Sequence, residues 1–285
     1  MSHELLRQPK WRVIDQSHFG PLFDAKQSFA IDDALCTAVG AGQSDAVVRT
    51  WVHENTVVLG AADTKLPYID EAVSFLRKEG YHVVVRNSGG LAVVLDGGVL
   101  NISLIFPETK HKIAIEQGYE AMYALIAAML APYGARVEAG EVVGSYCPGS
   151  YDLSIGGKKF AGISQRRVRG GVAVQVYLCV TGSGAKRGEL IRRFYEIGRQ
   201  GEETKFTYPD VVPGVMASLS ELIGCELSVD ELLLALWRTL QSLGGALYSS
   251  VLDGEEWEWY EQYWTRIVER NANVFTKEPM EDING

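Results

Sequence analysis

Between Tyr151 and Val180 the chain encodes three strands and two tight turns in one stretch, and this feature constrains its fold more than any other. The segments 151–155 and 158–168 flank Gly156-Gly157, a dipeptide suited to the positive φ angles of a two-residue hairpin turn. After Gly170-Gly171, the residues Val172, Val174, Val176, Leu178 and Val180 alternate with Ala173, Gln175, Tyr177 and Cys179. That period of two predicts a strand with two distinct faces. An antiparallel meander is therefore expected, rather than a doubly wound parallel sheet.

A second β region precedes it. Segments 82–86, 91–95 and 99–106 read as strands, the last two joined by a turn at Asp96-Gly97-Gly98. Segments 47–53 and 56–59 read as a strand pair across Glu54-Asn55. Helices fall between these regions. Ala25, Phe29, Asp32 and Cys36 share helical spacing up to Gly40, and Ile69, Ala72, Val73 and Leu76 form a stripe closed by Gly80. Met122, Leu125, Ile126, Met129 and Leu130 form another, stopped by Pro132. From Ala185 the chain reads helical, with Leu190, Ile191, Phe194 and Ile197 on one face. Ser228 to Glu231 is a capping box ahead of Leu233, Leu236, Trp237 and Leu240. Trp257, Tyr260, Trp264 and Ile267 mark a last helix, and the segment 271–285 reads as a loose tail. These elements predict an α+β fold of mixed, mainly antiparallel sheets flanked by helices. It is organised as one large domain (1–248) with a C-terminal helix and tail (249–285).

Composition excludes several classes. With 285 residues, 47% of them hydrophobic, the chain can bury a sizeable core without staples. A net charge of −9 disfavours a nucleic-acid partner, which demands clustered cations. Residues 1–12 contain no apolar signal core, and no run approaches the roughly 18 apolar residues of a membrane span. A cytoplasmic protein with no membrane partner is expected. Four Cys without a CxxC pair, and 5 His, predict no disulfide framework and no metal site.

The cysteines differ in setting. Cys36 on a helix and Cys179 on a strand read as packing, since a free cysteine behaves as a small buried hydrophobe. Cys225 follows Gly224 at a helix end and carries no assigned role. Cys147 lies in a loop of small and turn-forming residues just before the hairpin, where a rigid sheet presents functional groups. From the residues alone it is either a loop thiol or a nucleophile. No His lies within 30 residues of it. The hairpin folds Lys158 and Lys159 back toward it, and alternation lets at most one of them face it. Arg86-Asn87-Ser88-Gly89-Gly90 follows a strand and reads either as a tight turn or as a cradle of backbone N–H groups for an anion or carbonyl. Lys158, Lys159, Arg166, Arg167 and Arg169 form either a docking edge for an acidic protein or a charged guard on an edge strand.

These residues together resemble the lipoate-protein ligase and octanoyltransferase superfamily, over roughly 30–243. Its R-x-S/T-G-G segment stands here as Arg86 to Gly90. Its K-x-x-G segment stands as Lys159-Phe160-Ala161-Gly162. ATP-dependent members extend the first motif with a third glycine and a later His-Asp pair. Here Leu91 and Val94-Leu95-Asp96 occupy those places, so no ATP and no other cofactor is expected. The strings VRNSGGLAVVLDGGVLNISL and GEVVGSYCPGSYDLSIGGKKFAGISQRR are similar to the amidotransferase branch.

The resemblance implies the catalytic fold of biotin and lipoate-protein ligases. It implies that Cys147 forms an acyl-thioester, that Lys159 helps activate it, and that Arg86, Asn87, Ser88, Gly89, Gly90 and Gly162 bind substrate. It also implies an octanoylated glycine-cleavage H protein as donor and lipoyl domains of 2-oxoacid dehydrogenase E2 subunits as acceptors. An acyl-carrier-protein donor, an ATP-dependent ligase and a non-catalytic lipoyl-domain binder remain open as alternatives. An acyl substrate calls for an apolar channel, expected along 91–94 and 172–176.

Overall fold

The computed structural model describes residues 3–108 and 112–275. In chain order the elements are β1 (Lys10–Gln16), α1 (Ala25–Gly40), β2 (Ala46–Trp51), β3 (Thr56–Leu59), α2 (Ile69–Lys78), β4 (His82–Val85), β5 (Val93–Leu95) and β6 (Val99–Pro107). Then follow α3 (Ile115–Leu130), β7 (Glu138–Ala139), β8 (Asp152–Ile155), β9 (Lys158–Val168) and β10 (Gly171–Cys179). The chain continues through α4 (Gly184–Arg199), α5 (Leu219–Ile223), α6 (Val229–Ser242), β11 (Ala246–Ser249) and α7 (Glu255–Phe275). No helix among the described residues is long and apolar enough to cross a membrane.

The meander forms as its turns and alternation require. β8, β9 and β10 are successive antiparallel neighbours in an eight-stranded sheet of order β11-β1-β2-β6-β10-β9-β8-β7. A small sheet, β4-β3-β5, stands apart from it. Among the described strands, parallel pairing occurs where β1 meets β2 and β11 and where β3 meets β4, with one further isolated parallel bridge between Lys159 and Met216. The mixed, mainly antiparallel α+β architecture matches the expectation.

Two expected pairings do not form. β2 and β3 lie in different sheets, and so do β5 and β6. All residues of β2, β3 and β5 are buried, so no polar alternation identifies their partners. The links at Glu54-Asn55 and Asp96-Gly98 carry the chain from one sheet to the other. Arg187 from α4 holds the second crossing with two 2.7 Å hydrogen bonds to the Asp96 carboxylate.

The two faces of the large sheet carry separate cores. Val174, Val176 and Leu178 of β10 pack with Leu125 and Met129 of α3 and Leu236 and Leu240 of α6. The opposite face, with Ala173, Tyr177 and Cys179, lies under α1 and the small sheet. There α1 also buries charge. Asp32 pairs with Arg49 at 2.8 Å, and both are essentially without solvent contact. Ser103 and Gln175 donate to the other Asp32 oxygen at 2.7 and 2.6 Å, so the buried carboxylate is fully partnered.

The last helix differs from its expected face and end. Trp257 is exposed; Glu256, Tyr263, Ile267 and Asn271 are the buried residues. Glu256 accepts a 2.8 Å hydrogen bond from buried Arg12 of β1. Asn271 is not part of a loose tail: its amide accepts from Val85 N at 2.7 Å and donates to Val85 O at 3.1 Å. A side-chain amide thus mimics the peptide of a neighbouring strand along the free edge of β4. The remainder of the expected tail, residues 276–285, lies outside the described residues. Asn271→Ala leaves both backbone groups of Val85 unpaired in a buried setting. It is expected to lower unfolding free energy by about 1–3 kcal/mol, read from urea denaturation midpoints.

Candidate active site

The loop between β7 and β8 carries Cys147, whose φ is +45°, a left-handed conformation uncommon for a side-chain-bearing residue. What holds it there comes from the hairpin. Lys159, second residue of β9, is fully buried while Lys158 is exposed, as strand alternation requires. Its Nζ donates to Ser145 Oγ at 3.2 Å and to the carbonyls of Tyr146 and Cys147, each at 2.9 Å. It also pairs with Asp152 Oδ1 at 2.9 Å. Burial pushes the Asp152 carboxyl up, and the Lys159 ammonium opposes that shift. The lysine therefore clamps the cysteine loop through its backbone.

The sulfur points toward the loop that joins β4 to β5. Leu91 N–H donates to Cys147 Sγ at 3.2 Å, and Arg86 Nη2 does so at 3.5 Å. Arg86 Nη2 also donates to Leu91 O at 2.6 Å, binding the two donors together. Gly90, with φ +102°, must lack a side chain here. A Cβ would stand 2.3 Å from Arg86 Nη2 and 3.0 Å from the sulfur. Behind this loop, Asp63 accepts from Gly60 N at 2.7 Å and from Tyr195 OH at 2.9 Å, while Tyr195 OH accepts from Ala92 N at 3.3 Å. Burial raises the Asp63 carboxyl to about 6.

The sulfur borders a cavity of about 250 Å³ between the two sheets. Phe29, Trp51, Val58, Val93 and Leu95 form its apolar wall. Across the large sheet, Gly162, Tyr177, Asn101 and Trp51 line up in register on β9, β10, β6 and β2, and all four border the cavity. Three strand spacings place its ends on the order of 14 Å apart. The channel expected along 91–94 and 172–176 is corrected accordingly. Val93, Gln175 and Val176 line it, joined by Leu95 and Tyr177. Val172 and Val174 belong to the core on the other face, which alternation makes them share with Val176, the one of the three that also borders the cavity. Leu91 contributes its peptide N–H to the sulfur. Three buried polar atoms of lining residues have no partner: Arg86 Nε, Ser88 Oγ and Tyr177 OH.

Most of the residues singled out in the sequence meet at this place. Cys147, Arg86, Ser88, Gly89, Gly90 and Gly162 border the cavity. Gly162 is required by close approach, since a Cβ would stand 2.7 Å from the Tyr177 ring. Lys159 lies beneath the loop. Asn87 is directed elsewhere, donating to Asp33 Oδ2 at 2.8 Å. The basic residues of the hairpin do not gather into a patch. Lys159 is buried, Arg166 makes two 2.9 Å hydrogen bonds to Asp33, and Arg167 pairs with Glu108 at 2.6 Å. Lys158 and Arg169 lie at opposite ends of β9. Cys36 and Cys179 are buried packing residues, their thiols pushed up by desolvation. Sequence reasoning missed Asp152, Asp63, Tyr177 and Tyr195. The first had a signal: a carboxylate near a buried lysine across a two-residue hairpin.

The chain belongs to the family described as the lipoyl protein ligase A/B catalytic domain, which matches residues 24–241. Curated relatives match nearly end to end. An octanoyl-[GcvH]:protein N-octanoyltransferase of Geobacillus kaustophilus is 88% identical over 98% of both chains. One of Anoxybacillus flavithermus is 62% identical over 96% of this chain and 99% of its own. A lipoyl-[GcvH]:protein N-lipoyltransferase of Listeria monocytogenes is 52% identical over 97% and 99%. Among solved structures, a lipoate-protein ligase A bound with ATP superposes with a TM-score of 0.71 at 17% identity, covering 94% of this chain and 99% of that one. A bi-partite lipoate protein ligase of Thermoplasma acidophilum gives 0.67 at 17%, covering 95% and 99%. These two share the fold.

Two outcomes are expected. Lys159→Met strands the buried Asp152 carboxylate and should cost about 3–5 kcal/mol in urea unfolding, with most of the loss recovered when Asp152→Asn is added. The second concerns Asp63. Between its ordinary value of 3.8 and about 6, the folded protein keeps a proton that the unfolded chain has lost, so this group's contribution to stability falls as pH rises through that window. In Asp63→Asn the slope of stability against pH from 4 to 6 should be more positive than in the parent, by up to about 1.4 kcal/mol per pH unit.

Proposed function

We propose that this protein is a protein N-octanoyltransferase that works by covalent catalysis. It takes an octanoyl group from the modified lysine of the glycine-cleavage H protein and delivers it to a lysine of a 2-oxoacid dehydrogenase E2 lipoyl domain, in the cytoplasm. Residues 1–248 serve as the catalytic domain and 249–285 as a C-terminal appendage. The observation that carries this reading is a loop cysteine whose sulfur meets two N–H donors at the edge of an apolar-walled cavity. Near-full-length likeness to the named octanoyltransferases supports the choice of acyl group and donor.

An amide is broken and an amide is made, so the exchange is close to thermoneutral and needs no ATP. The Cys147 thiolate attacks the carbonyl carbon of the octanoyl-lysine amide. The tetrahedral intermediate collapses as the C–N bond breaks, and the donor lysine departs as an amine that takes up a proton. The acceptor lysine, as free amine, then attacks the thioester, loses a proton and releases the thiolate. Arg86 Nη2 and Leu91 N–H steady the sulfur between these steps. Lys159 sets the loop's backbone. Arg86, Ser88, Gly89 and Gly90 hold the reacting end of the substrate, Gly162 leaves room for Tyr177, and Asn87 secures its loop on Asp33. Burying about six methylenes contributes on the order of 5 kcal/mol, at ~0.8 kcal/mol each, which offsets the uphill formation of the thioester.

Incubation with octanoylated H protein, followed by intact-mass measurement, tests the proposal. The parent protein should gain one octanoyl mass and Cys147→Ala none, and adding an unmodified lipoyl domain should discharge the adduct. Octanoyl transfer to the lipoyl domain by Cys147→Ala at the parent rate would overturn the covalent route. An adduct formed from octanoyl-acyl-carrier protein and not from H protein would reassign the donor.

A further inference from the structure

Tyr177 stands in the floor of the cavity beside Gly162, and its hydroxyl lies 3.1 Å from where a Gly162 Cβ would be. The residue is 8% exposed. Its hydroxyl is buried without a hydrogen-bond partner, although tyrosine hydroxyls usually find one in protein interiors. The ring is fixed from two sides: it stacks on Tyr146 with centroids 6.0 Å apart, and the Lys159 ammonium lies 6.0 Å from its centroid. Both neighbours are tied to the cysteine loop, since Tyr146 precedes Cys147 and Lys159 bonds the carbonyls of both. The hydroxyl is thus an unpartnered donor on a ring that borders the cavity and is held beside the cysteine loop, with the Cys147 thiol among the ionisable groups that act on it.

Lys159 cannot serve in its place as the structure stands. Its ammonium has three protons and already faces four acceptors. Leu91 N–H is engaged with the sulfur itself. Burial, with nearby ionisable groups, pushes the Tyr177 phenol well above its ordinary value, so it remains a neutral donor.

We propose that the Tyr177 hydroxyl is a catalytic hydrogen-bond donor to the acyl carbonyl oxygen as that oxygen becomes negative in the tetrahedral intermediate. This rests on the Cys147 thioester reading. The O–H bond stays intact. The oxyanion gains a partner when the C–S bond forms and gives it up when the C–N bond breaks, so no proton changes hands at this residue. A preorganised donor of this kind acts on the transition state more than on the bound substrate.

The test is Tyr177→Phe, which removes one oxygen. Because that oxygen has no partner in the resting protein, the variant should unfold within about two degrees of the parent. Single-turnover octanoylation of Cys147 by octanoylated H protein, followed by intact mass, should slow by about 30-fold or more. KM for the donor should stay within twofold. Gly162→Ala, which pushes the ring aside while keeping the hydroxyl, should slow acylation similarly. Acylation of Tyr177→Phe within threefold of the parent would overturn the proposal. A parent protein that never carries octanoyl on Cys147 would instead sink the thioester reading on which it stands.

Discussion

A buried ammonium surrounded by oxygen underlies the rest of the site. Lys159 has lost all contact with water, and desolvating such a group costs several kcal/mol unless its protons are taken up. The protein takes them up with one carboxylate, one hydroxyl and two carbonyls of consecutive residues. Those carbonyls flank the left-handed backbone at Cys147. The conformation of the cysteine is therefore held by the group that satisfies the charge. The sulfur is aimed by the same constraint, toward the Arg86 and Leu91 donors on the facing loop.

The facing loop has its own anchors. Arg86 directly follows β4, and its guanidinium bridges Leu91 O and the sulfur. Asp63 and Tyr195 secure Gly60 and Ala92 from behind, so the Leu91 peptide is held on both sides. Each wall of the site thus hangs on a buried carboxylate: Asp152 on the large-sheet side and Asp63 on the small-sheet side. Such groups are expensive to bury and earn their place by orienting backbone that has no side chain of its own to orient it.

The sequence made one wall of this site legible and left the other obscure. Gly156-Gly157 and the alternation along 172–180 foretold the meander, and with it that one of two adjacent lysines would turn inward. The loop composition around Cys147 marked it among four cysteines. The facing wall works through peptide N–H groups, which carry no residue identity, so Leu91 could not be singled out. Strands buried on both faces, such as β2 and β3, show no period that names a neighbour, and the two sheets were read as continuous hairpins. Tyr177 reads only as one member of an alternating strand, because a hydroxyl without a partner is a fact of three-dimensional packing. Asn271 reads as the start of a tail because its pairing with Val85 is remote in sequence.

The alignment of Gly162, Tyr177, Asn101 and Trp51 across four strands has a further consequence. The row crosses four strands, with Gly162 at one end and Trp51, packed edge-on against Phe29, at the other. On the proposed acyl-transfer reading, bulk at either aromatic would bear on the length of fatty chain accommodated, at the far end of the row from Gly162. On that reading, chain preference and chemical competence are separately heritable traits.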